Sequence, residues 1–323
     1  MHCWGGDGYD EVMVAAAQKV AVFAPSPVLT VTVESGAEGS DVHMHAGGQG
    51  SWVANMVSVL GARPLLCAPF GGEIGTVLLS LLKGERLELR QVDAEGSNGC
   101  RIEDRRDGEI SRLAEMRGAV LNRHEFDDLY DVTLTAGIEA GVAVLTGPAG
   151  RPVVETDIYR RLAADLTSLG VLVVADLSGD PLEAAVAGGV AVLKVSDEDV
   201  GDRDPVMAAE TWRDLVDRAV ILTRAAEPAL IIGDEVAAID IPTLETLDHR
   251  GAGDSLTAGV AVGLARDLSL YDAIRLGAAA GAVNVTRHGL ASGRLDAIET
   301  MAEQVVIEPA TSIEVQRART GHQ

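Results

Sequence analysis

A glycine-rich turn followed by an aspartate lies near the end of the chain, where Gly251, Ala252, Gly253 and Asp254 precede an apolar run of small residues. When such a turn leads into a helix, backbone N–H groups stay unpaired and the helix dipole adds roughly half a positive charge. Because glycine has no Cβ, an anion can approach this backbone closely. The turn therefore predicts an anion hole in which Asp254 is an ionised carboxylate and accepts a proton. The alternative is that Asp254 only caps its helix.

The second half of the chain alternates short apolar strands with helices from about residue 122 onward. Such alternation predicts a mainly parallel sheet with helices on both faces. Because ligands bind at the carboxyl ends of parallel strands, polar residues that follow a strand are candidate site residues. The acidic run 197–199 follows one predicted strand, and Thr223 and Arg224 close the next. We expect both groups at the edge of the sheet where ligands bind.

Short polar strands predicted at about 28–46 and 97–112 are too polar for a core, and we interpret them as a small β-rich lid. The dipeptide Asp107-Gly108 is typical of a hairpin turn. His43 and His45 lie two residues apart and point to the same strand face. They are either a metal-binding pair, which needs a third ligand, or part of a solvated face.

The composition limits the classes of function. The chain has 323 residues, 47% of them apolar and 3% aromatic, and a formal net charge of −23. Such acidity argues against a nucleic-acid partner, because phosphate binding needs a basic face. Three widely spaced cysteines show no metal or disulfide pattern, and no apolar run reaches the roughly 20 residues of a membrane span. We expect a cytoplasmic protein, with a disordered extension at 1–19, one domain at 20–310 and a tail at 311–323.

Three motifs together resemble the ribokinase-like (PfkB) carbohydrate kinase family, nearest its 1-phosphofructokinase and tagatose-6-phosphate kinase branch. Residues 248–255 (Asp-His-Arg-Gly-Ala-Gly-Asp-Ser) are similar to the family signature Asp, Thr or Ser, any residue, then Gly-Ala-Gly-Asp-Ser. Residues 47–50 (Gly-Gly-Gln-Gly) resemble Gly-Gly-Lys-Gly, and residues 194–199 resemble Lys-Pro-Asn-x-x-Glu. The similarity extends over about residues 20–307.

The resemblance implies an α/β fold: a ribokinase-like three-layer α/β/α domain with a mainly parallel central sheet and a small β-rich lid. It also implies phosphoryl transfer that depends on ATP and Mg²⁺, to a hydroxyl of a sugar or sugar phosphate, with Asp254 as general base. Asp199 then takes the position that organises Mg²⁺ through water, and lid strands pair in a homodimer. The residues implied at the nucleotide are Lys194, Ser196, Thr223, Arg224, Asp248, Asn284 and Gly289.

The sequence departs from the family on the side of the sugar. Val28 replaces an aspartate, Gln49 a lysine and Trp52 an asparagine, and Asn98 stands near a lost arginine. We therefore expect an acceptor other than fructose 1-phosphate or tagatose 6-phosphate in the usual binding mode. The residues implied at the substrate are Val28, Gly47, Gly48, Gln49, Trp52, Asn98 and Arg101.

Two alternatives to a sugar kinase stay open. Trp52 is either a core residue or a platform for a sugar or base, and the second role would suit a nucleoside kinase. A protein with weak catalysis that binds sugars or regulates is the other alternative. Arginines of the lid, namely Arg101, Arg105, Arg106 and Arg112, are candidates to replace the lost cations. A dinucleotide-binding dehydrogenase is disfavoured, since no Gly-x-Gly-x-x-Gly follows the first strand.

Overall fold

The computed structural model describes residues 17–37, 39–83, 86–148, 150–224, 228–242, 244–287, 291–311 and 314–315. The predicted extension therefore falls almost wholly outside the described residues, as does most of the predicted tail. In chain order the strands are β1 (Lys19–Phe23), β2 (Val28–Gly36), β3 (Gly39–Gly47), β4 (Arg63–Phe70), β5 (Glu88–Asp93), β6 (Gly99–Asp104), β7 (Ser111–Met116), β8 (Val142–Thr146), β9 (Leu172–Asp176), β10 (Val192–Ser196), β11 (Ala219–Thr223), β12 (Ala229–Ile232), β13 (Val236–Asp240) and β14 (Val306–Pro309).

The helices are α1 (Gln49–Val59), α2 (Gly72–Leu82), α3 (Arg123–Ala140), α4 (Asp157–Ser168), α5 (Gly179–Gly188), α6 (Pro205–Arg213), α7 (Ala252–Ala265), α8 (Leu270–Val285) and α9 (Leu295–Ala302), with a 3₁₀ turn at Asp197–Val200. Within the described ranges, no helix combines the length and apolar character needed to span a membrane.

Ten strands form the larger sheet in the order β14-β13-β12-β11-β10-β9-β8-β1-β4-β5. The strands from β11 to β5 are parallel, and β12, β13 and β14 pair antiparallel at one edge. Apolar runs at 230–233 and 236–241 predict an antiparallel edge that corresponds to the first two of these strands, whereas β14 is not predicted. The central strands are continuous apolar runs because both faces of the sheet are covered.

Helices cover the sheet in two layers, each with its own apolar cluster. Buried residues of α1, α2, α7, α8 and α9 pack on one face, and those of α3, α4, α5 and α6 pack on the other. Helices α7 and α8 approach so closely that a Cβ on Gly259 would lie 2.4 Å from Cα of Gly277. The abundance of small residues thus fixes the position of α7, and with it the turn at its start.

Four strands form the smaller sheet, in the order β3-β2-β6-β7. Strands β6 and β7 are joined by the predicted hairpin at Asp107-Gly108, where Gly108 has a φ of 82°. Strand β7 ends at Met116, beyond the predicted end of the lid at 112. Register places Thr30, His45 and Arg101 side by side on one face of this sheet.

Candidate active site

The predicted turn into a helix is present at the start of α7. Gly251 is the N-terminal cap residue with a φ of 76°, which favours glycine, and a Cβ there would lie 3.1 Å from the backbone nitrogen of Ala291. Ser255 donates its backbone N–H to the Gly251 carbonyl oxygen at 2.9 Å, which begins the helix. No side chain of the described residues caps α7. The Ala252 N–H donates to the His249 carbonyl oxygen at 3.4 Å, whereas the N–H groups of Gly253 and Asp254 have no partner among the described residues and are available for a ligand.

Side chains from α8 and from the turn itself hold this geometry. Asn284 is 1% exposed, and its Nδ2 donates to the Arg250 carbonyl oxygen at 2.7 Å. Arg250 binds the Asp248 carboxylate with its Nε at 3.0 Å, and its Nη1 lies 3.4 Å from Oε2 of Glu103 in β6. Arg105 of the lid lies 4.0 Å from the same Asp248. Asn284 and Asp248 thus support the turn and join it to the lid, whatever contact they make with a nucleotide.

Asp254 lies in the first turn of α7, is 9% exposed, and accepts a hydrogen bond from the Gln49 side chain. Oε1 of Gln49 accepts the backbone N–H of Gly147 at 2.7 Å, so the other end of the same amide serves Asp254. Gln49 is the first residue of α1, preceded by Gly48 with a φ of 96°. A Cβ at Gly48 would lie 3.0 Å from the Ser26 carbonyl oxygen. The glycine turn therefore brings Gln49 to the reacting edge.

Lys194 and Asp176 form a buried ion pair beside Asp254. Nζ of Lys194 lies 3.1 Å from Oδ1 of Asp176, and the Thr257 hydroxyl of α7 donates to Oδ2 at 2.8 Å. A Cβ on Gly253 would lie 2.8 Å from Nζ of Lys194. The absence of that atom lets the ammonium group lie directly against the start of α7, where it adds a full positive charge to the predicted anion hole.

The pKa of Asp254 is raised in the folded protein, although the start of a helix favours the ionised carboxylate. Burial, followed by repulsion from Asp176, raises the pKa of Asp254 to about 7, although Lys194 and the bond from Gln49 act to lower it. The favourable effect of a helix start is outweighed because the carboxylate has lost its water. Burial acts to lower the pKa of Lys194, but Asp176 and Asp254 outweigh it and raise the pKa, so the lysine stays charged.

A second group of predicted residues lies at the carboxyl ends of the neighbouring strands. Ser196 of β10 pairs in register with Thr223 of β11, whose hydroxyl donates to the Val195 carbonyl oxygen at 3.3 Å. Asp199 accepts the Ser196 backbone N–H at 3.0 Å, and burial raises the pKa of its carboxyl. Nε of Arg224 donates to the Pro228 carbonyl oxygen at 3.0 Å.

Two cavities open at this edge of the sheet. The first, of about 410 Å³, is called the Lys194 cavity, and Gln49, Asp176, Lys194 and Asp199 are among its lining residues. The second, of about 320 Å³, lies under the hairpin of β6 and β7 and is called the arginine cavity, because Arg101, Arg112, Arg117 and Arg151 line it. Both volumes suit a small ligand.

The residues predicted to bind the sugar line two different cavities. Gln49 lies in the Lys194 cavity, whereas Val28, Asn98 and Arg101 line the arginine cavity. The Asn98 amide is fully engaged, since it donates to the carbonyl oxygens of Pro69 and Pro27 and accepts the Gly71 N–H at 2.9 Å.

Two predicted binding residues and the histidine pair remain. Trp52 is absent from the walls of both cavities and packs against the apolar cluster of α1 and α7. Gly289 lies outside the described residues. His43 and His45 stack with ring centroids 6.2 Å apart, and no group of three His, Cys, Asp or Glu suited to a metal occurs among the residues described. The second interpretation of the pair, a solvated strand face, therefore fits better.

Sequence reasoning missed Asp176, Thr257, Arg117 and Arg151. Asp176 directly follows the apolar run of β9 at its carboxyl end, which is the signal used for the acidic run after β10. Applied to every parallel strand, that rule would have found it. The two arginines carry no comparable signal, because each lies in a segment typical of a solvated surface.

Comparison with known proteins relates the chain to carbohydrate kinases. The family model described as pfkB family carbohydrate kinase matches residues 13–297. The ATP-dependent 6-phosphofructokinase isozyme 2 of Escherichia coli K12 is 27% identical over 257 residues, which cover 75% of this chain and 82% of that protein. The protein of the same name from Mycobacterium tuberculosis CDC 1551 is 29% identical over 272 residues, which cover 80% of this chain and 79% of that one.

A solved structure confirms the fold. The Thermotoga maritima protein titled "possible 1-phosphofructokinase" superposes with a TM-score of 0.77 at 20% identity, covering 91% of this chain and all of that one. This likeness confirms the predicted ribokinase-like architecture. The family match and the named relatives confirm the predicted carbohydrate kinase activity. The chain belongs to the pfkB family of carbohydrate kinases.

Proposed function

We propose that this chain transfers the γ-phosphoryl group of ATP to a hydroxyl of a sugar or sugar phosphate, with Asp254 as the general base. The observation that carries the proposal is one juxtaposition at the start of α7. There the buried Asp254 carboxylate and an N-terminus that no described side chain caps lie beside the Lys194 ammonium group, and Lys194 lines a cavity.

Asp254 suits the role of base because its pKa lies near neutral pH. A base with a pKa of about 7 is ionised in a large fraction at working pH, yet keeps enough affinity to take a proton from a hydroxyl. The hydrogen bond from Gln49 orients the carboxylate, and Gln49 is itself fixed by the Gly147 N–H. We propose that an acceptor hydroxyl beside Gln49, at the wall of the Lys194 cavity, presents its proton to Asp254.

The start of α7 suits the transferred group. The N–H groups of Gly251, Ala252 and Gly253, together with the Lys194 ammonium group, would stabilise negative charge on its oxygens, and each donor of such a hole is worth about 10²–10³ in rate. When bound, ATP supplies the phosphoryl group and Mg²⁺ neutralises part of its charge. The name of the E. coli relative supports ATP as the donor.

Oxygen-bearing side chains suit the predicted metal and nucleotide side. Mg²⁺ prefers oxygen ligands and keeps several waters, so the half-buried Asp199 carboxylate fits a contact through water. Ser196, Thr223 and Arg224 lie next along the same edge, and we propose that they face the nucleotide.

Replacing Asp254 by asparagine tests the base. The variant keeps the size of the side chain but cannot accept the proton, so we expect transfer to fall by about 10²–10⁴-fold. Asp272→Asn is a matched control, since Asp272 occupies the first turn of α8 but is solvent-exposed. The measurement is ADP release with a panel of sugars and sugar phosphates. Equal rates for Asp254→Asn and wild type would exclude the assignment.

The two alternatives have less support. A nucleoside kinase would need a platform such as Trp52, which lines neither of the two cavities. A weak catalyst that binds sugars would not require a buried carboxylate titrating near pH 7. ATP consumption with nucleosides, compared with sugars, separates these alternatives from the main proposal.

We also propose a homodimer through the lid strands. Val42 and Met44 of β3 lie on one face of the smaller sheet and are 58% and 55% exposed, and Leu113 of β7 is 57% exposed. A second lid would cover such apolar side chains. Light scattering of Val42→Glu/Met44→Glu, compared with wild type, tests this, and an unchanged mass would exclude it.

A further inference from the structure

Two carboxylates and two arginines form a ring between the lid and the turn at the start of α7. Glu103 of β6 and Arg105, two residues further on, belong to the lid, whereas Asp248 and Arg250 precede Gly251. Oε2 of Glu103 lies 3.0 Å from Nη2 of Arg105 and 3.4 Å from Nη1 of Arg250. Oδ2 of Asp248 lies 2.6 Å from Nη2 of Arg250 and 4.0 Å from Nη1 of Arg105. Each charge faces two of opposite sign, and we call these four residues the lid ring.

The lid ring is shielded from solvent. Glu103 is 8% exposed, and the side chains of Arg105 and Asp248 are largely buried. Burial acts to raise the pKa of Asp248, but the hydrogen bonds and charge of Arg250, together with the charge of Arg105, outweigh it and lower that pKa. Removing one partner from a shielded ion pair costs more than removing it from an exposed pair. The four charges of the lid ring are therefore coupled.

Contacts within each half of the lid ring are shorter than contacts between the halves. In the half that precedes α7, Nε of Arg250 also donates to both oxygens of Asp248, at 3.0 Å and 3.2 Å, and its backbone N–H donates to Oδ1 at 3.0 Å. The two contacts that cross to the lid, at 3.4 Å and 4.0 Å, are the longest of the ring. If the lid moved away, each half would remain a neutral ion pair. The lid can therefore leave and return without stranding a charge.

Arg250 connects the lid ring to the proposed anion hole. Its carbonyl oxygen accepts Nδ2 of Asn284 at 2.7 Å, and the next residue, Gly251, is the N-terminal cap of α7. On the side of the lid, the Arg105 backbone N–H donates to the Val33 carbonyl oxygen of β2 at 2.8 Å. Because both halves are fixed to regular structure, a displacement of the lid acts on the turn that presents the first N–H groups of α7.

We infer that Glu103 and Arg105 are positioning residues for phosphoryl transfer. Through Arg250 and Asp248 they hold the turn at the start of α7 in its active geometry while the lid is in place. The inference rests on the proposed function, because this turn is the proposed site of the transferred group. Arg250 stands at the unspecified position of the family signature, and Glu103 and Arg105 lie outside the three motifs. The resemblance to the family therefore does not specify the lid ring.

A double-mutant cycle across the lid ring tests the inference through kcat. Glu103→Gln and Arg250→Gln each remove the ionic contact between the lid and the turn and keep a side chain that forms hydrogen bonds. At saturating ATP and acceptor, we expect kcat to fall about tenfold in each, because a small misplacement of groups around the reacting atoms lowers the rate strongly. Adding Glu103→Gln to Arg250→Gln should lower kcat less than about threefold further, since the shared contact is already lost. Arg250→Lys keeps the charge and should recover most of the lost rate.

Asp104→Asn is the matched control for the cycle. Asp104 neighbours Glu103 on β6, but it points to the opposite face of the strand and pairs with Arg106 at 2.5 Å. Its replacement should change kcat by less than about twofold. Unchanged kcat in Glu103→Gln, or independent losses in the cycle, would overturn the inference. So would a loss confined to KM, with kcat restored at saturating acceptor, because the lid would then only retain the acceptor.

Amide hydrogen exchange tests the lid ring separately from transfer. Without nucleotide and acceptor, we expect the amides of residues 249–254 to exchange about threefold or more faster in Glu103→Gln than in wild type or Asp104→Asn. The amides of β8 serve as the internal reference for global unfolding and should exchange equally in all three proteins. Equal exchange at 249–254 in all three would overturn the inference. Faster exchange there, in a protein whose wild type transfers phosphate to no acceptor, would contradict the proposed function instead.

Discussion

Lys194, Asp176 and Asp254, at or beside the Lys194 cavity, are buried and interact with one another, whereas the arginines of the arginine cavity are largely exposed. Lys194, Asp176 and Asp254 are each at most 9% exposed and contact one another through fixed helices and strands. Arg112 has a side chain 53% exposed and stands on a lid strand. Lys194 and Asp199, from a motif that resembles the family, line the first cavity together with Gln49, whereas Val28 and Asn98, which depart from the family, line the second.

The difference separates the chemistry of the reaction from the choice of substrate. Replacing one residue of a buried charge network leaves its partner buried without a counter-charge, so the effects of such substitutions are coupled. Exposed arginines on a lid can be exchanged singly, at little cost in stability. Changes in the first cavity should therefore affect rate and stability together, and changes in the second should affect affinity for the acceptor.

Lys194→Met should lower both the rate of transfer and the stability of the protein. It removes the ammonium group at the start of α7, and we expect kcat/KM to fall about 10²–10³-fold. The carboxylates of Asp176 and Asp254 would also face each other without a cation, so Tm should fall at pH 8. Activity assays and thermal denaturation measure both. A variant with full activity would remove the lysine from the proposed anion hole.

Asp254→Asn should stabilise the protein while it abolishes transfer. The pKa of Asp254 is raised in the folded state, so the folded protein binds the proton more tightly than the unfolded chain does. Wild type therefore loses stability as pH rises through the range from about 4 to about 7, and asparagine removes this loss. We expect a gain of about 2 kcal/mol at pH 8.

The dependence on pH provides the control for that prediction. The gain should be smaller at pH 5, where wild type is largely protonated and resembles the variant. Urea unfolding of both proteins at the two pH values measures it. A gain that is the same at pH 5 and pH 8 would mean that the carboxyl is not the titrating group.

Asn98→Ala should reduce stability without changing substrate selectivity. The substitution leaves three backbone groups without their partner, namely the Gly71 N–H and the carbonyl groups of Pro69 and Pro27. We expect a loss of about 2 kcal/mol in the free energy of unfolding. The affinity ratio between sugar phosphate and free sugar should stay within about twofold. Collapse of that ratio would show that Asn98 itself binds the acceptor.

The sequence predicts the fold and the turn at α7 well, because both depend on local patterns. Apolar runs identify the parallel strands, and the glycines at 251 and 253 identify a turn that leads into a helix. The short strand β14 escapes prediction because it is only four residues long and only Ile307 packs against the core, so it forms no apolar run.

The ionisation of Asp254 could not be predicted in the same way. It depends on burial and on two residues that are distant in sequence, Gln49 and Asp176. The helix start alone favours the charged form, and only the assembled site shows that desolvation is the larger effect. The arginine cavity likewise arises from segments separated along the chain, each of which is typical of a solvated surface.

Gln49→Ala should shift the dependence of rate on pH and have the smallest effect. Gln49 lowers the pKa of Asp254 through its hydrogen bond, so its loss should raise that pKa. The base must be ionised to act, so the rise of kcat with pH should move to higher pH by about one unit. At alkaline pH the variant should recover much of the wild-type kcat. Asp176→Asn should have the opposite effect. It removes the repulsion that raises the pKa of Asp254, so the curve of kcat against pH should move to lower pH. Displacement of both curves in the same direction would contradict the electrostatic account, because the two groups act on the Asp254 carboxylate with opposite effect.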